Sequence, residues 1–221
     1  MVKQDIEIRA FHTELRTDEN ESRIIRGLAI PTESRSELLG GEFYEVIRKS
    51  AVNEDLIKDN DIRLFVNHDE SQGTFGRSKR GKGSLKLSIT DKGLEFETEL
   101  PDNAYGNYLL DGIRRGDFDE MSFAFMVDKD EWKQNNDGTY ERSVISFRLL
   151  SEISVLSCEA AYSATNVSTR SLDAFKEEIR AKEEAEKQAE EERIKQENLS
   201  KFEEVENQLN DLYKDFLNLA Y

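Results

Sequence analysis

Three side-chain types that together cleave acyl bonds, a base, a hydroxyl and a carboxylate, stand at similar places in this sequence. The base is the scarcest. Only His12 and His68 carry imidazole, the side chain whose ordinary pKa suits proton transfer near neutrality. His68 follows the apolar run Ile62-Arg63-Leu64-Phe65-Val66-Asn67, which has strand character and ends in a polar turn. From Met121 to Val127, Phe123, Phe125 and Val127 share one face, which leaves Ser122, Ala124 and Met126 on the other. In the same way Ile153 and Val155 leave Glu152 and Ser154 on the less bulky face. A serine, a histidine and an acid can make an alcohol nucleophilic: the imidazole takes the hydroxyl proton, and the carboxylate fixes the tautomer and steadies the positive charge. On residue types alone the bland readings stand beside this one. A serine at a strand start is ordinarily a polar edge residue, a glutamate on an outward face is ordinarily solvated, and His12, among Thr13, Glu14 and Arg16, reads as a surface histidine.

The elements that must carry these residues are mostly short strands. Ile6, Ile8 and Ala10 alternate with Asp5, Glu7 and Arg9, the period-2 pattern of a half-buried strand. Ile24 to Ile30 predicts a second strand ending at Pro31, and Phe43 to Ile47 a short third. Ser50 suits the N-cap of a helix over Ala51 to Lys58. Gly76-Arg77-Ser78-Lys79-Arg80-Gly81-Lys82-Gly83 nearly spells a phosphate-binding loop. It lacks the Ser or Thr after the lysine, and a strand-like stretch (Leu85, Leu87, Ile89) follows where a helix should open, so a flexible basic loop is the better reading. Asp91-Lys92-Gly93 makes a hairpin with Leu94, Phe96 and Thr98. Asp102 or Asn103 caps a helix reaching Arg115, with Gly116 as its stop. Asn136-Asp137-Gly138 is a strong turn signal before a strand-rich stretch from Tyr140 to Leu150.

Composition narrows the function classes. With 35% charged residues and a net charge of −16, the chain does not carry the excess of Lys and Arg that phosphate-backbone binding uses, which argues against nucleic acid as the partner. Two distant histidines and the single Cys158 offer no ligand cluster, so neither metal nor other cofactor is expected, and the thiol reads as a small buried group in a reducing setting. The N-terminus lacks an apolar signal core and no run of about 18 apolar residues exists, which predicts a protein neither secreted by a standard signal nor membrane-spanning. From about Ser171 the composition shifts: 8 Lys or Arg stand against 15 Asp or Glu, without Gly or Pro. That predicts residues 1–170 as one domain and 171–221 as a charged helical tail. Phe202, Val205, Leu209, Leu212, Phe216 and Leu219 form a heptad seam at its end, of a length that favours docking on a partner or on a second copy.

Phe65-Val66-Asn67-His68-Asp69, the Gly76-Arg77 pair, Gly93-Leu94-Glu95-Phe96, Met121-Ser122-Phe123-Ala124-Phe125, and Leu150-Ser151-Glu152-Ile153-Ser154-Val155 with Ala161-Tyr162 and Thr165 resemble, in order and spacing from about residue 5 to 170, the prohead (capsid maturation) protease family of tailed bacteriophages. The resemblance implies a serine endopeptidase on a β-rich α+β fold: a β-barrel of six or more mostly antiparallel strands with short flanking helices, similar to the herpesvirus assembly protease (assemblin), to which the composition of the tail adds a long C-terminal helix. It implies action in the host cytoplasm inside the immature capsid, on scaffold or on the scaffolding segment of the major capsid protein, and on itself. Carried over by motif, Ser122 is the nucleophile, His68 the general base and Glu152 the third member, with Asp69 the alternative for the last role. Ala124 stands where the family often has glycine, and Ala160 where it usually has proline before Ala-Tyr. The sequence assigns no residue to an oxyanion hole. The alternative from another class is a non-catalytic scaffold or assembly protein that works through its acidic helix.

Overall fold

The computed structural model describes residues 6–17, 23–157 and 166–219. In chain order the elements are β1 (Glu7–His12), β2 (Arg16–Thr17), β3 (Ile24–Pro31), β4 (Phe43–Ile47), α1 (Glu54–Asp59), β5 (Asp61–Val66), β6 (Gly76–Lys79), β7 (Lys82–Gly83), β8 (Lys86–Thr90), β9 (Gly93–Glu99), α2 (Ala104–Arg115), β10 (Glu120–Gln134), β11 (Tyr140–Leu156) and α3 (Asn166–Leu219). They divide into two compact units, residues 1–170 and 171–221.

The first unit is built on two sheets. A seven-stranded sheet runs β1-β10-β11-β5-β6-β7, with β4 also paired to β11, and a four-stranded sheet runs β2-β3-β9-β8. The long hairpin β10-β11 is the spine of the larger one. β11 pairs in parallel with β4 over its first residues and with β5 over its last, so the strand that opens at Tyr140 serves two neighbours in turn. Register shifts after Ala124 bend β10 between these two regions. Apolar side chains from both sheets share one core: Ile25, Ala29, Leu94 and Phe96 from the smaller, Leu64, Phe123, Phe125, Ile153 and Val155 from the larger, with Leu109 and Ile113 of α2. Phe123 and Ile153 face that core, so Ser122 and Glu152, one residue away, face outward. This is a β-rich α+β fold with mostly antiparallel pairing. Among the described residues the strands form two open sheets, and no ring of pairing closes into a barrel.

Three local expectations are corrected. The first is the orientation of β1. Glu7 and Arg9 point inward and are buried at 0% and 6% exposure, whereas Ile6 is 46% exposed. The reason is a charge cluster beneath the strand: Arg142 donates to both carboxylate oxygens of Glu7 (2.7 and 3.0 Å) and to Glu45 (3.0 Å), and Arg9 makes a forked pair with Glu45 (2.7 and 2.9 Å) and a bond to Glu7 (2.8 Å). The second is the start of α1. Its N-cap is Asn53, whose side chain accepts from the Leu56 amide at 2.9 Å, while the Ser50 hydroxyl donates to the Ile145 carbonyl at 2.7 Å. The third is the basic stretch from Gly76 to Gly83, which is a strand pair and not a loop. Arg80 and Gly81, both left-handed (φ 55° and 73°), turn β6 directly into β7, and at Gly83 a Cβ would stand 2.0 Å from the Arg77 carbonyl.

Other boundaries follow the sequence signals. Asn103, not Asp102, caps α2 by accepting from the Gly106 amide, and Gly116 ends it in the left-handed region. In α3, ion pairs one turn apart such as Lys182–Glu178 and Lys201–Glu197 lace the surface. Ile194, Leu199, Phe202 and Val205 are exposed along it. The rest of the predicted seam (the side chains of Leu209, Leu212, Phe216 and Leu219), together with Cys158, Ala160, Ala161, Tyr162 and Thr165, lies outside the described residues. No described helix is long and apolar enough to cross a membrane.

Candidate active site

The outward face of the large sheet brings Ser122, Glu152 and His68 together. Ser122 sits on β10 between two paired strands, opposite Ala10 of β1 and Ser154 of β11. Glu152 lies two residues before Ser154 on the same face, beside Arg63 of β5. β5 ends at Val66, and the next two residues, Asn67 and His68, are both left-handed (φ 51° and 59°). Left-handed geometry costs a residue with a Cβ about 1–2 kcal/mol, and two in succession occur here at the residues that aim the imidazole. Asn67 holds the bend in place. Its amide nitrogen donates to the Ser157 hydroxyl (2.9 Å), its amide oxygen accepts from the Ser157 N–H (3.0 Å), and its own N–H donates to the Val155 carbonyl (2.9 Å). The end of β11 and the turn carrying His68 are thereby fastened to each other.

Turned this way, the imidazole bridges the other two residues. Nδ1 of His68 contacts Oε1 of Glu152 directly, and Nε2 lies 2.8 Å from the Ser122 hydroxyl. The His68 and Glu152 side chains are 14% and 13% exposed, and Ser122 is fully buried. A carboxylate can only accept, so Nδ1 carries the proton and Nε2 presents its lone pair to the hydroxyl. The Ser122 hydroxyl has a second acceptor within reach, the Arg9 carbonyl at 2.9 Å. One proton therefore has two acceptors: donated to Nε2 it makes the oxygen ready to attack, and donated to Arg9 it leaves the oxygen at rest.

Asp69 is committed elsewhere. Its carboxylate accepts from the Ser71 amide and from Gln72 (both 2.9 Å), capping the short turn after His68, and hydrogen bonding by the Ser71 side chain, then by Gln72 and the Ser71 amide, holds its pKa below the ordinary aspartate value. His12 lies apart, its side chain 72% exposed and 3.2 Å from Glu120. Among the described residues no group of His, Cys, Asp and Glu is arranged to hold a metal ion.

Three contributors to the site were not singled out by sequence reasoning. Arg9 acts through its carbonyl, which no side-chain pattern reveals. Asn67 was quoted in the motif, yet its clamp depends on Ser157, 90 positions away. Ser154 is buried directly opposite Ser122, and its hydroxyl has no hydrogen-bond partner among the described residues; its sequence signal was the two-residue spacing from Glu152.

A comparison with known families matches residues 11–178 to the caudovirus prohead serine protease profile. No curated protein matches the chain in sequence. Among solved structures, that of the bacteriophage T4 capsid assembly protease, gp21, aligns at 10% identity and a TM-score of 0.45, covering 69% of this chain and 98% of that one.

Proposed function

The chain belongs to the caudovirus prohead serine protease family, and on that premise we propose that Ser122, His68 and Glu152 are its catalytic triad and that it cleaves scaffold, or the scaffolding segment of the major capsid protein, inside the immature capsid in the host cytoplasm. The observation that supports the triad most directly is the single imidazole in contact with both Ser122 and Glu152. In the acylation step the Ser122 oxygen bonds to the scissile carbonyl carbon, the carbonyl π electrons move to its oxygen, and the hydroxyl proton passes to Nε2 of His68. Glu152 holds Nδ1–H and balances the imidazolium. Collapse of the tetrahedral species breaks the C–N bond, and the leaving amine takes the proton from Nε2. Water, deprotonated by the same nitrogen, then adds to the acyl carbon, and the bond to Ser122 breaks as Nε2 returns the proton to the serine oxygen.

The same reading extends to the rest of the molecule. The two sheets that share one core are compatible with the barrel that the family resemblance implies. The tail, with its exposed Phe202 and Val205, serves self-association or entry into the prohead and is removed by self-cleavage. The test is co-expression with the capsid protein and scaffold of the same phage, followed by mass spectrometry of the products. New termini that appear with the unchanged chain and vanish with Ser122→Ala and His68→Ala are expected. Full processing by Ser122→Ala would refute the assignment and leave an assembly protein acting through its acidic helix as the better reading.

A further inference from the structure

Resting on the proposed triad, we infer that Ser154 is a further catalytic residue: its hydroxyl donates a hydrogen bond to the oxyanion formed when Ser122 attacks. The need for such a donor follows from where the nucleophile sits. Ser122 is in the interior of the large sheet, in register with Ala10 on one side and Ser154 on the other. In an antiparallel ladder a residue's N–H and C=O point to the same neighbour, and both neighbours of Ser122 are strands. Its own amide is thus taken up by the sheet, unlike that of a nucleophile perched on a sharp turn. The charge that develops on the carbonyl oxygen must be met from the outward face, by a side chain or by another segment.

Among the described residues next to Ser122 in the sheet, that face offers few donors. Its same-strand neighbours are Glu120 and Ala124, its partner on β1 is Ala10, and its partner on β11 is Ser154. Only Ser154 among these has a hydroxyl. Directly opposed residues in an antiparallel pair have Cβ atoms about 4.5–5.5 Å apart, which puts the Ser154 hydroxyl within reach of an atom bonded to the carbon that Ser122 attacks. Glu152 lies two residues before Ser154 on β11, and His68 follows β5 on the far edge of β11, so Ser154 and the imidazole approach Ser122 from the same side.

The state of the hydroxyl points the same way. Ser154 is fully buried and its oxygen has no hydrogen-bond partner among the described residues. A buried polar group without a partner is destabilising, and an alanine there would avoid the cost. A donor that serves only while the substrate carbonyl is tetrahedral would look like this in the free enzyme. During the step the Ser154 proton is shared with the oxyanion and not transferred, so it adds nothing to the proton path through His68.

The test is acylation of the full-length chain by p-nitrophenyl acetate, an ester small enough for a site whose nucleophile has no exposed surface. Release of p-nitrophenolate would be followed for the unchanged chain, Ser122→Ala, Ser154→Ala and Ser154→Thr. Loss of one oxyanion donor lowers kcat by about 10²–10³-fold. Ser154→Ala is therefore expected to lose about 10²-fold in kcat with KM little changed and with Tm unchanged or raised, while Ser154→Thr, which keeps a hydroxyl, recovers most of the rate. Equal rates for Ser154→Ala and the unchanged chain would overturn the inference while leaving the triad standing. A rate loss matched by a lowered Tm and not rescued by threonine would also overturn it, in favour of a packing role. If Ser122→Ala reacts as fast as the unchanged chain, the triad itself is refuted and this inference with it.

Discussion

Strands β1, β10 and β11 carry two polar clusters on opposite faces of one sheet, and the two are satisfied to different degrees. Beneath the sheet, Glu7, Arg9, Glu45 and Arg142 are all buried and joined by a dense set of charged hydrogen bonds. Burial works against the charge on Arg142, but hydrogen bonding with Glu7 and the charges of Glu45, Glu7 and Asp130 outweigh it and raise its pKa above the usual guanidinium value. Above the sheet, the Ser122 hydroxyl is offered two acceptors for one proton and the Ser154 hydroxyl has none. Both clusters use long-range partners and buried polar atoms. The difference is that the lower one has nothing left to bind, and the upper one does. Incomplete bonding is not confined to the upper cluster, since Thr32, Ser78 and Thr98 also bury a hydroxyl without a partner among the described residues; what sets Ser154 apart is its place opposite Ser122.

The sharpest way to test this contrast is at Ser122. Ser122→Ala should lower turnover by about 10⁶-fold, as removal of a triad nucleophile does, while urea denaturation registers no more than the cost of one hydroxyl, about 1 kcal/mol. Glu152→Gln should come next. A carboxamide can donate as well as accept, so the imidazole is no longer held in the productive tautomer, and a fall of about 10⁴-fold in kcat is expected with folding intact; a loss of only a few-fold would remove Glu152 from the triad.

Across the sheet the effects should invert. Arg142→Met leaves buried Glu7 without its main cation and Glu45 without one of its two, and about 3–5 kcal/mol of stability should be lost in urea denaturation, with the specific activity of the remaining folded protein little altered. Replacing all four charged residues by apolar ones of similar volume should recover much of that loss, which would sharpen the view that the cluster is structural. The smallest effect belongs to Asp69. Its carboxyl pKa is depressed on folding, so its contribution to stability is present above the unfolded value near 3.8 and disappears as the pH falls through the lower folded value. The Tm difference between the unchanged chain and Asp69→Ala should accordingly be measurable at neutral pH and close in strong acid.

Much of this architecture could be read from residue patterns, and the exceptions share a cause. Phe43 to Ile47, the capped helix ending at Gly116 and the Asn136-Asp137-Gly138 hairpin are local: turn residues, caps and periodicity lie within a few positions of what they specify. β1 was legible as a strand but not in its orientation, because burying Glu7 and Arg9 depends on Arg142, more than 130 positions later. For His68, Ser122 and Glu152 the alternation of side chains gave the face, and the family resemblance gave the association. Neither showed that Asn67 and His68 adopt left-handed backbone: Asn and His are among the side chains that enter that region most readily, but the bend is fixed only when Ser157 comes to meet Asn67.

The pairing order of β11 also bears on how the molecule comes to be active as it folds. Ser122 and Glu152 belong to one hairpin, β10-β11, whose contacts are local and whose formation needs only the Asn136–Gly138 turn. His68 reaches them by the parallel pairing of β5 with the end of β11, a contact between residues 89 positions apart such as Arg63 and Glu152. Non-local pairings carry the larger loop-closure cost and tend to form late. The three residues of the proposed triad thus come together only when the local hairpin and the non-local pairing of β5 are both in place.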